Sequence, residues 1–316
     1  MFLPEHVMTN HDVEKLCDTS DEWITKRTGI RERRIADDGV GASDLGTEAA
    51  RQAMDEAGMG PADVDAIICC TVTPDQPAPG TAHLIQANLG ANGSAAFDLN
   101  AACSGFVYGL ATADAYLKTG LFKTVLLVGA ETTSRFLNWD YRDTAVLFAD
   151  GAGAVVMRGE EGDNGVLANH LGSDGATQEI LAVAAGGFRH YITPEHVRDN
   201  PIKITMNGPE LFKIAVAKFE LAAIAVLDDA GLTAEDVDFF VPHQANARII
   251  DVVRERMGLS PEQVVLNIDH TGNTVAASIP MAIHEARVDG RIKKGDIVLL
   301  AAFGAGLTWG ASLLRW

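Results

Sequence analysis

Apolar residues recur along this chain with two spacings. Residues 64–72, Val64-Asp65-Ala66-Ile67-Ile68-Cys69-Cys70-Thr71-Val72, are almost continuously apolar, and so are 124–130. Short runs of this kind predict strands covered on both faces. Ser94-Ala95-Ala96-Phe97-Asp98 is small and apolar enough for another buried strand, and 165–173, 238–241 and 298–302 add three more. Between these runs the spacing becomes helical. Ser20 caps a helix opening at Asp21-Glu22-Trp23-Ile24, Ser43 caps one over 44–57 that stops at Gly58, and another covers 81–89. Residues 107–119 are apolar almost all round and close on Lys118 and Gly120, which predicts a buried helix with a glycine stop. Residues 145–157 carry Asp150-Gly151-Ala152-Gly153 and read as strand, turn, strand. Strands alternate with helices, so the class is α/β.

One module occurs twice. Residues 55–65, Asp-Glu-Ala-Gly-Met-Gly-Pro-Ala-Asp-Val-Asp, resemble 228–238, an offset of 228 − 55 = 173. The same offset lays Val125-Leu126-Leu127 on Val298-Leu299-Leu300 (298 − 125 = 173) and Asn100 on Asn273. Three pairs in one register predict two like α/β halves, 1–164 and 165–316, packed about a pseudo-twofold with equivalent turns meeting at their interface.

Composition narrows the class. A chain of 316 residues is long enough for two cores, and 47% hydrophobic with 22% charged residues is ordinary for a globular protein. No apolar run approaches the ~18 residues of a membrane span, and Met1-Phe2-Leu3-Pro4-Glu5 lacks the basic start of a signal peptide. Cys17, Cys69, Cys70 and Cys103 show no C-x-x-C spacing, so neither zinc nor a disulfide framework is expected, and a reducing cytoplasm is the expected compartment. A net charge of −18 argues against nucleic-acid binding, and an acidic partner would need a local basic landing site. Without a Walker A loop or a G-x-G-x-x-G after a first strand, ATP and NAD chemistry are unsupported, and no cofactor is expected.

Cys103 stands where the first half turns from strand to helix, with small neighbours Ala101, Ala102, Ser104 and Gly105. A helix N-terminus there would favour a thiolate. On this stretch alone the residue reads equally as a nucleophile or as a buried structural cysteine. His243 ends an apolar strand, Asn273 lies between glycine and threonine, and Gly304-Ala305-Gly306 follows another strand. Each alone has a bland reading as a structural histidine, a helix cap or a tight turn. Together, at equivalent ends of a duplicated fold, they fit thioester chemistry. The N–H groups of Cys103 and of the 304–306 turn (Ala305) would hold an oxyanion, and His243 with Asn273 would hold enolate charge.

Six segments, 19–24, 27–33, 100–106, 242–246, 272–274 and 303–310, together resemble β-ketoacyl-[acyl-carrier-protein] synthase III of the thiolase superfamily. The resemblance implies a thiolase-like duplicated five-layer αβαβα fold, a homodimer, and a Cys103-His243-Asn273 triad. It implies acyl-CoA as a substrate, with Trp23 and Arg142 on its adenine, Arg27 and Thr28 near its phosphates, and Asn246 on its pantetheine. Malonyl-acyl carrier protein would dock on Arg248, with Lys213 and Arg256 beside it. The residue that closes the partner's acyl pocket would be Ala78, where acetyl-specific members carry a bulky aromatic. Pro209 follows Gly208 where the family often has Asn, and Asn207 precedes it, so one pantetheine contact is left open. The alternative readings are an acyltransferase to an oxygen or nitrogen nucleophile, and a silent partner subunit.

Residues 165–173 minus the offset fall at −8 to 0 (165 − 173 and 173 − 173). The family resemblance implies a strand ahead of Leu3-Pro4-Glu5 there. Each buried backbone group left without it would cost about 1–3 kcal/mol. The expectation is an upstream start or a weakly stable fragment, with a form extended by that strand melting higher.

Overall fold

The computed structural model describes residues 1–183 and 203–316. In chain order these form β1 (Val7–Thr9), α1 (Asn10–Val13), α2 (Asp21–Thr28), β2 (Glu32–Arg34), α3 (Ala42–Ala57), β3 (Ala66–Cys70), α4 (Thr81–Leu89), β4 (Ala95–Leu99), α5 (Gly105–Lys118), β5 (Thr124–Thr132) and α6 (Arg142–Ala145). There follow β6 (Asp150–Arg158), β7 (Gly165–Ser173), β8 (Leu181–Val183), β9 (Ile204–Met206), α7 (Gly208–Ala230), β10 (Phe239–Pro242), α8 (Ala247–Arg256), α9 (Ile268–Thr271), α10 (Ser278–Val288), β11 (Ile297–Gly304) and β12 (Thr308–Arg315).

The main strands make two four-stranded sheets, ordered β4-β3-β5-β6 and β10-β11-β12-β7. Side-chain alternation along the strands sorts the core into layers. Ile67, Cys69, Leu126 and Val128 face α3 and α4 on the outside of the first sheet. Ile68, Cys70, Val125 and Leu127 face inward, where Phe106 of α5 and Ile279 of α10 meet Val298 and Leu300 of the second sheet. Beyond that sheet Leu299, Ala301 and Leu313 pack on Phe219 of α7 and Ile250 of α8. The result is five layers, α3/α4, sheet, α5/α10, sheet, α7/α8. Each large central side chain such as Phe106 contributes roughly 1.5–3 kcal/mol by its burial.

The duplication is legible in the backbone. Ala66–Cys70 and Phe239–Pro242 start 173 apart, and so do Thr124–Thr132 and Ile297–Gly304, and Gly105–Lys118 and Ser278–Val288. The short 3-10 turns Ala102–Ser104 and Val275–Ala277 keep the same offset. Beside β12 lies β7; β6 is the edge of its sheet, bridged only by Phe2 at Ala152 among the described residues.

Several local expectations need correcting. Ser43 lies inside α3, whose N-cap is Gly41. Asp75, from a distant loop, accepts both the Ser43 N–H and hydroxyl, so the cap is tertiary. Residues 150–153 form no turn: they begin β6, because glycine lets α10 lie against the strand, and a Cβ on Gly153 would sit 2.8 Å from the Met281 nitrogen. β4 is half-buried rather than buried, because it is the other edge of its sheet.

His270 of α9 pairs with Glu285 of α10 at 3.0 Å and with Asp269 at 2.9 Å. The Glu285 contact is the main cause that raises its pKa to about 9. A raised pKa stabilises the folded state fully below about 6.5, and that contribution is lost as pH climbs through about 9. His270 is half-exposed, so screening limits the effect to roughly 1 kcal/mol. Melting temperature should fall between pH 6.5 and 9 in the parent, and His270→Ala should flatten that slope; parallel curves would remove His270 from the account.

Candidate active site

Cys103 occupies the 3-10 turn between β4 and α5, preceded by Ala102 at φ +49°. Val275, at φ +52°, takes the equivalent place in the second half. These are the only two non-glycine residues of positive φ among the described residues, and they lie 275 − 102 = 173 apart. Side chains rarely adopt this conformation, and strain of this kind gathers at functional sites. Each is held by an asparagine two residues earlier. Asn100 Oδ1 accepts the Ala102 N–H at 3.1 Å, and Asn273 Oδ1 accepts the Val275 N–H at 3.0 Å. Asn273 is 5% exposed, and its Oδ1 is committed, so its amide nitrogen is the free donor. The second half has Ala276 where the first has Cys103.

The end of β11 runs directly against the nucleophile. A Cβ on Gly304 would sit 2.7 Å from the Cys103 nitrogen and 2.9 Å from its Cβ, so only glycine fits. This approach brings the Ala305 N–H, beside that of Cys103 itself, to the Cys103 sulfur. Thr308 Oγ1 ties the turn by donating to Ala101 O at 3.0 Å. The expected easy thiolate is corrected: burial first, and the Glu131 carboxylate second, push the thiol up to about 12, outweighing the two N–H groups. The resting group is a thiol that needs a base.

His243 follows β10 and is 1% exposed. Its backbone N–H continues the ladder to Ala301 O at 2.8 Å, and Gln244 braces the turn by donating to Pro242 O and Val265 O. His243 Nδ1 lies 2.7 Å from Ser278 Oγ, which donates to Val275 O at 2.9 Å. With that hydroxyl hydrogen used, Nδ1 carries the ring proton and Nε2 is left as an acceptor. Burial holds the imidazolium down to about 3, so the ring is neutral. Sequence reasoning missed Ser278, because nothing local links residues 35 apart in the chain.

Cys103, His243 and Asn273 line one cavity of about 130 Å³, with Asn246, Phe148, Phe212 and Phe303 among its walls. Asn246 Oδ1 caps α8 through the Arg248 N–H at 2.9 Å, and its Nδ2 donates to Arg27 O at 3.1 Å. Arg248 is exposed, with its guanidinium 5.9 Å from the ring of Phe212, and Lys213 is exposed nearby on α7. Arg256 differs, because Glu220 pairs with it at 2.8 Å. Trp23 has Arg142 4.6 Å and Arg27 5.9 Å from its ring centroid, so a base enters between Trp23 and Arg142 only if Arg142 withdraws. Thr28 is buried, and its hydroxyl donates to Ile24 O at 2.7 Å and accepts the Ile30 N–H at 3.0 Å, so its hydroxyl hydrogen is already used. Asn207, which precedes Gly208, donates to Glu210 at 2.9 Å. Ala78 is exposed and lies outside this cavity. Among the described residues no cluster of His, Cys, Asp or Glu could hold a metal.

Comparison with known proteins gives the family. Residues 97–175 match the family model for 3-oxoacyl-[acyl-carrier-protein] synthase III, and 227–316 match its C-terminal model. The β-ketoacyl-[acyl-carrier-protein] synthase III of Caldanaerobacter subterraneus is 51% identical over 315 residues, 100% of this chain and 95% of the relative. The structure of 3-oxoacyl-[acyl-carrier-protein] synthase III from Aquifex aeolicus superposes with a TM-score of 0.92 at 47% identity, covering 100% of this chain and 97% of that one. The priming β-ketosynthase of the R1128 polyketide pathway gives 0.92 at 34% identity, over 99% of this chain and 93% of its own. Half of all residues shared along the full length, on one thiolase-type fold, means that the chain belongs to the β-ketoacyl-acyl carrier protein synthase III family, acyltransferases that initiate fatty acid synthesis.

Proposed function

We propose that the protein joins an acyl-CoA primer to malonyl-acyl carrier protein by decarboxylative Claisen condensation. The observation that carries this reading is the Cys103 sulfur under two backbone N–H groups, in one cavity with His243 and Asn273. His243 Nε2 takes the Cys103 proton, the sulfur attacks the acyl thioester, and the N–H groups of Cys103 and Ala305 hold the oxyanion. CoA leaves with the proton. The malonyl thioester then loses CO2, and its electron pair forms an enolate held by the Asn273 amide. Exchange with solvent, which removes the Nδ1 proton and delivers one to Nε2, makes His243 the second donor, and the Ser278 hydroxyl then turns from Val275 O to donate to Nδ1. The enolate carbon attacks the Cys103 thioester, the sulfur departs, and a solvent proton restores the thiol.

The carrier protein would dock on Arg248 and Lys213, because Arg248 sits over Phe212 at the cavity wall. The pairing of Arg256 with Glu220 makes it a weaker contact. A homodimer fits the free edge of β4 and the exposed loop carrying Ala78. Four unpaired cysteines fit a reducing cytoplasm, and no described helix is long and apolar enough to cross a membrane. The match to a polyketide priming enzyme supports the same chemistry with a different downstream pathway.

The deciding assay offers a panel of acyl-CoAs with malonyl-carrier protein and follows CO2 and β-ketoacyl product. Acyl transfer without loss of CO2 would favour transfer to an oxygen or nitrogen nucleophile instead. Ala78 leaves space across the dimer interface, so primers longer than acetyl should be accepted. Ala78→Phe should shift preference towards acetyl-CoA by roughly tenfold or more, since one or a few methylenes are worth about 1–3 kcal/mol. An unchanged chain-length profile would refute this role.

A further inference from the structure

Glu131 closes the apolar run of β5 and is fully buried. Four donors converge on its carboxylate. The Val72 N–H lies 3.1 and 3.2 Å from its two oxygens, Thr73 Oγ1 at 2.7 Å and Thr71 Oγ1 at 3.3 Å, and the Ala276 N–H lies near it as a longer-range fourth donor that favours its charge. Both hydroxyls have their hydrogens free for it, since Thr71 Oγ1 accepts the Thr73 N–H at 3.0 Å and Thr73 Oγ1 accepts the Thr132 N–H at 2.9 Å. Among the described residues no arginine, lysine or histidine hydrogen-bonds it. Only an ionised carboxyl, which is acceptor-only, suits all four donors.

The donors belong to parts of the site that are far apart in the chain. Residues 71–73 lead into the loop that carries Ala78. Ala276 is the middle of the turn that follows Asn273 and has Val275 at positive φ. This turn already seats on β5, where a Cβ on Gly129 would lie 2.6 Å from Ala276 O. The same carboxylate lies close enough to Cys103 to oppose its ionisation.

We infer that Glu131 is a positioning residue: its carboxylate ties the 275–277 turn, and through it Asn273, to the first half. This rests on the roles proposed above for Cys103 and Asn273. The titratable groups near Glu131 are Cys103 and, from β3, Cys70 on the same side of the sheet and Cys69 on the other; Asp98 of β4 lies beyond, held by the Thr81 and Ala82 N–H groups. Burial raises the Glu131 carboxyl to about 7. A proton on it turns one carboxyl oxygen into a donor, so one of the four donors loses its acceptor. Condensation therefore falls as pH drops through about 7, while the Cys103 thiol becomes easier to ionise.

Two readouts separate these effects: condensation with acyl-CoA and malonyl-carrier protein, and alkylation of Cys103 by iodoacetamide, which needs no substrate. Glu131→Gln should alkylate severalfold faster at pH 8 yet condense at least roughly tenfold more slowly, with the primer KM within about twofold. Its condensation rate should also lose the fall below pH 7. Glu131→Asp keeps the charge and shortens the reach, so alkylation should stay slow while condensation drops. Should the glutamine variant fail to fold, the aspartate variant and the parent's pH profile still decide. Both rates falling together in either variant, or a parent profile flat from pH 6 to 8, would overturn the inference. A parent that never condenses would count against the proposed function and leave the alkylation comparison standing.

Discussion

Cys103→Ala should form no acyl-enzyme. Incubation of the parent with acyl-CoA should add one acyl mass, and the variant should add none, with condensation down on the order of 10⁴-fold or more. The expectation rests on surroundings rather than on the presence of a thiol. Cys69 and Cys70 are also buried thiols with raised pKa values, but they lie inside β3 with no pair of backbone donors aimed at the sulfur as an oxyanion hole requires. Cys17 is half-buried, and burial raises its pKa too. Only at Cys103 do two backbone N–H groups, from opposite halves of the fold, reach one sulfur. An adduct that persists on the variant would remove Cys103 from its role.

The second large effect divides the two half-reactions. His243→Ala and Asn273→Ala should each retain some acylation but lose condensation by on the order of 10²–10⁴-fold, the usual range for a lost proton-transfer group or oxyanion donor. Asn273 does two jobs, because its Oδ1 holds the strained Val275 N–H while its nitrogen faces the substrate. Asn273→Asp separates them. Aspartate keeps the acceptor for Val275 and supplies no donor, so it should fold like the parent and still fail to condense. Decarboxylation of malonyl-carrier protein at the parent rate by any of these variants would show the enolate assignment to be wrong. Since burial holds the His243 imidazolium down to about 3, this ring adds no limb near 6.5, and the fall near pH 7 should be absent in Glu131→Gln.

The main strands and helices were legible in the chain because both faces of each central strand are buried, which demands continuous apolar runs such as 66–70 and 124–130. The offset of 173 was also legible, and it carried the largest inference, that a turn in each half contributes to one site. Cys103 stood out at a strand-to-helix turn among small residues, Asn273 by the register it shares with Asn100, and His243 at the end of an apolar strand. Glu131 carried the same signal, a charge closing an apolar strand, and was passed over because nothing in the sequence says what lies across from it.

Other features were decided only by the tertiary structure. Asp75 caps α3 from a loop 32 residues away, so Ser43 could not be told from the true cap. Ser278 orients His243 across 35 residues, and Gly304 is required because a Cβ there would come within 3 Å of the Cys103 backbone, which spacing along one chain does not encode. The ionisation of Cys103 depended on a competition. A helix start lowers a thiol pKa, burial beside a carboxylate raises it, and burial prevails because the sulfur is enclosed by both halves. Sequence patterns reported which surfaces must be covered, and the packing of one half on the other decided which atoms meet.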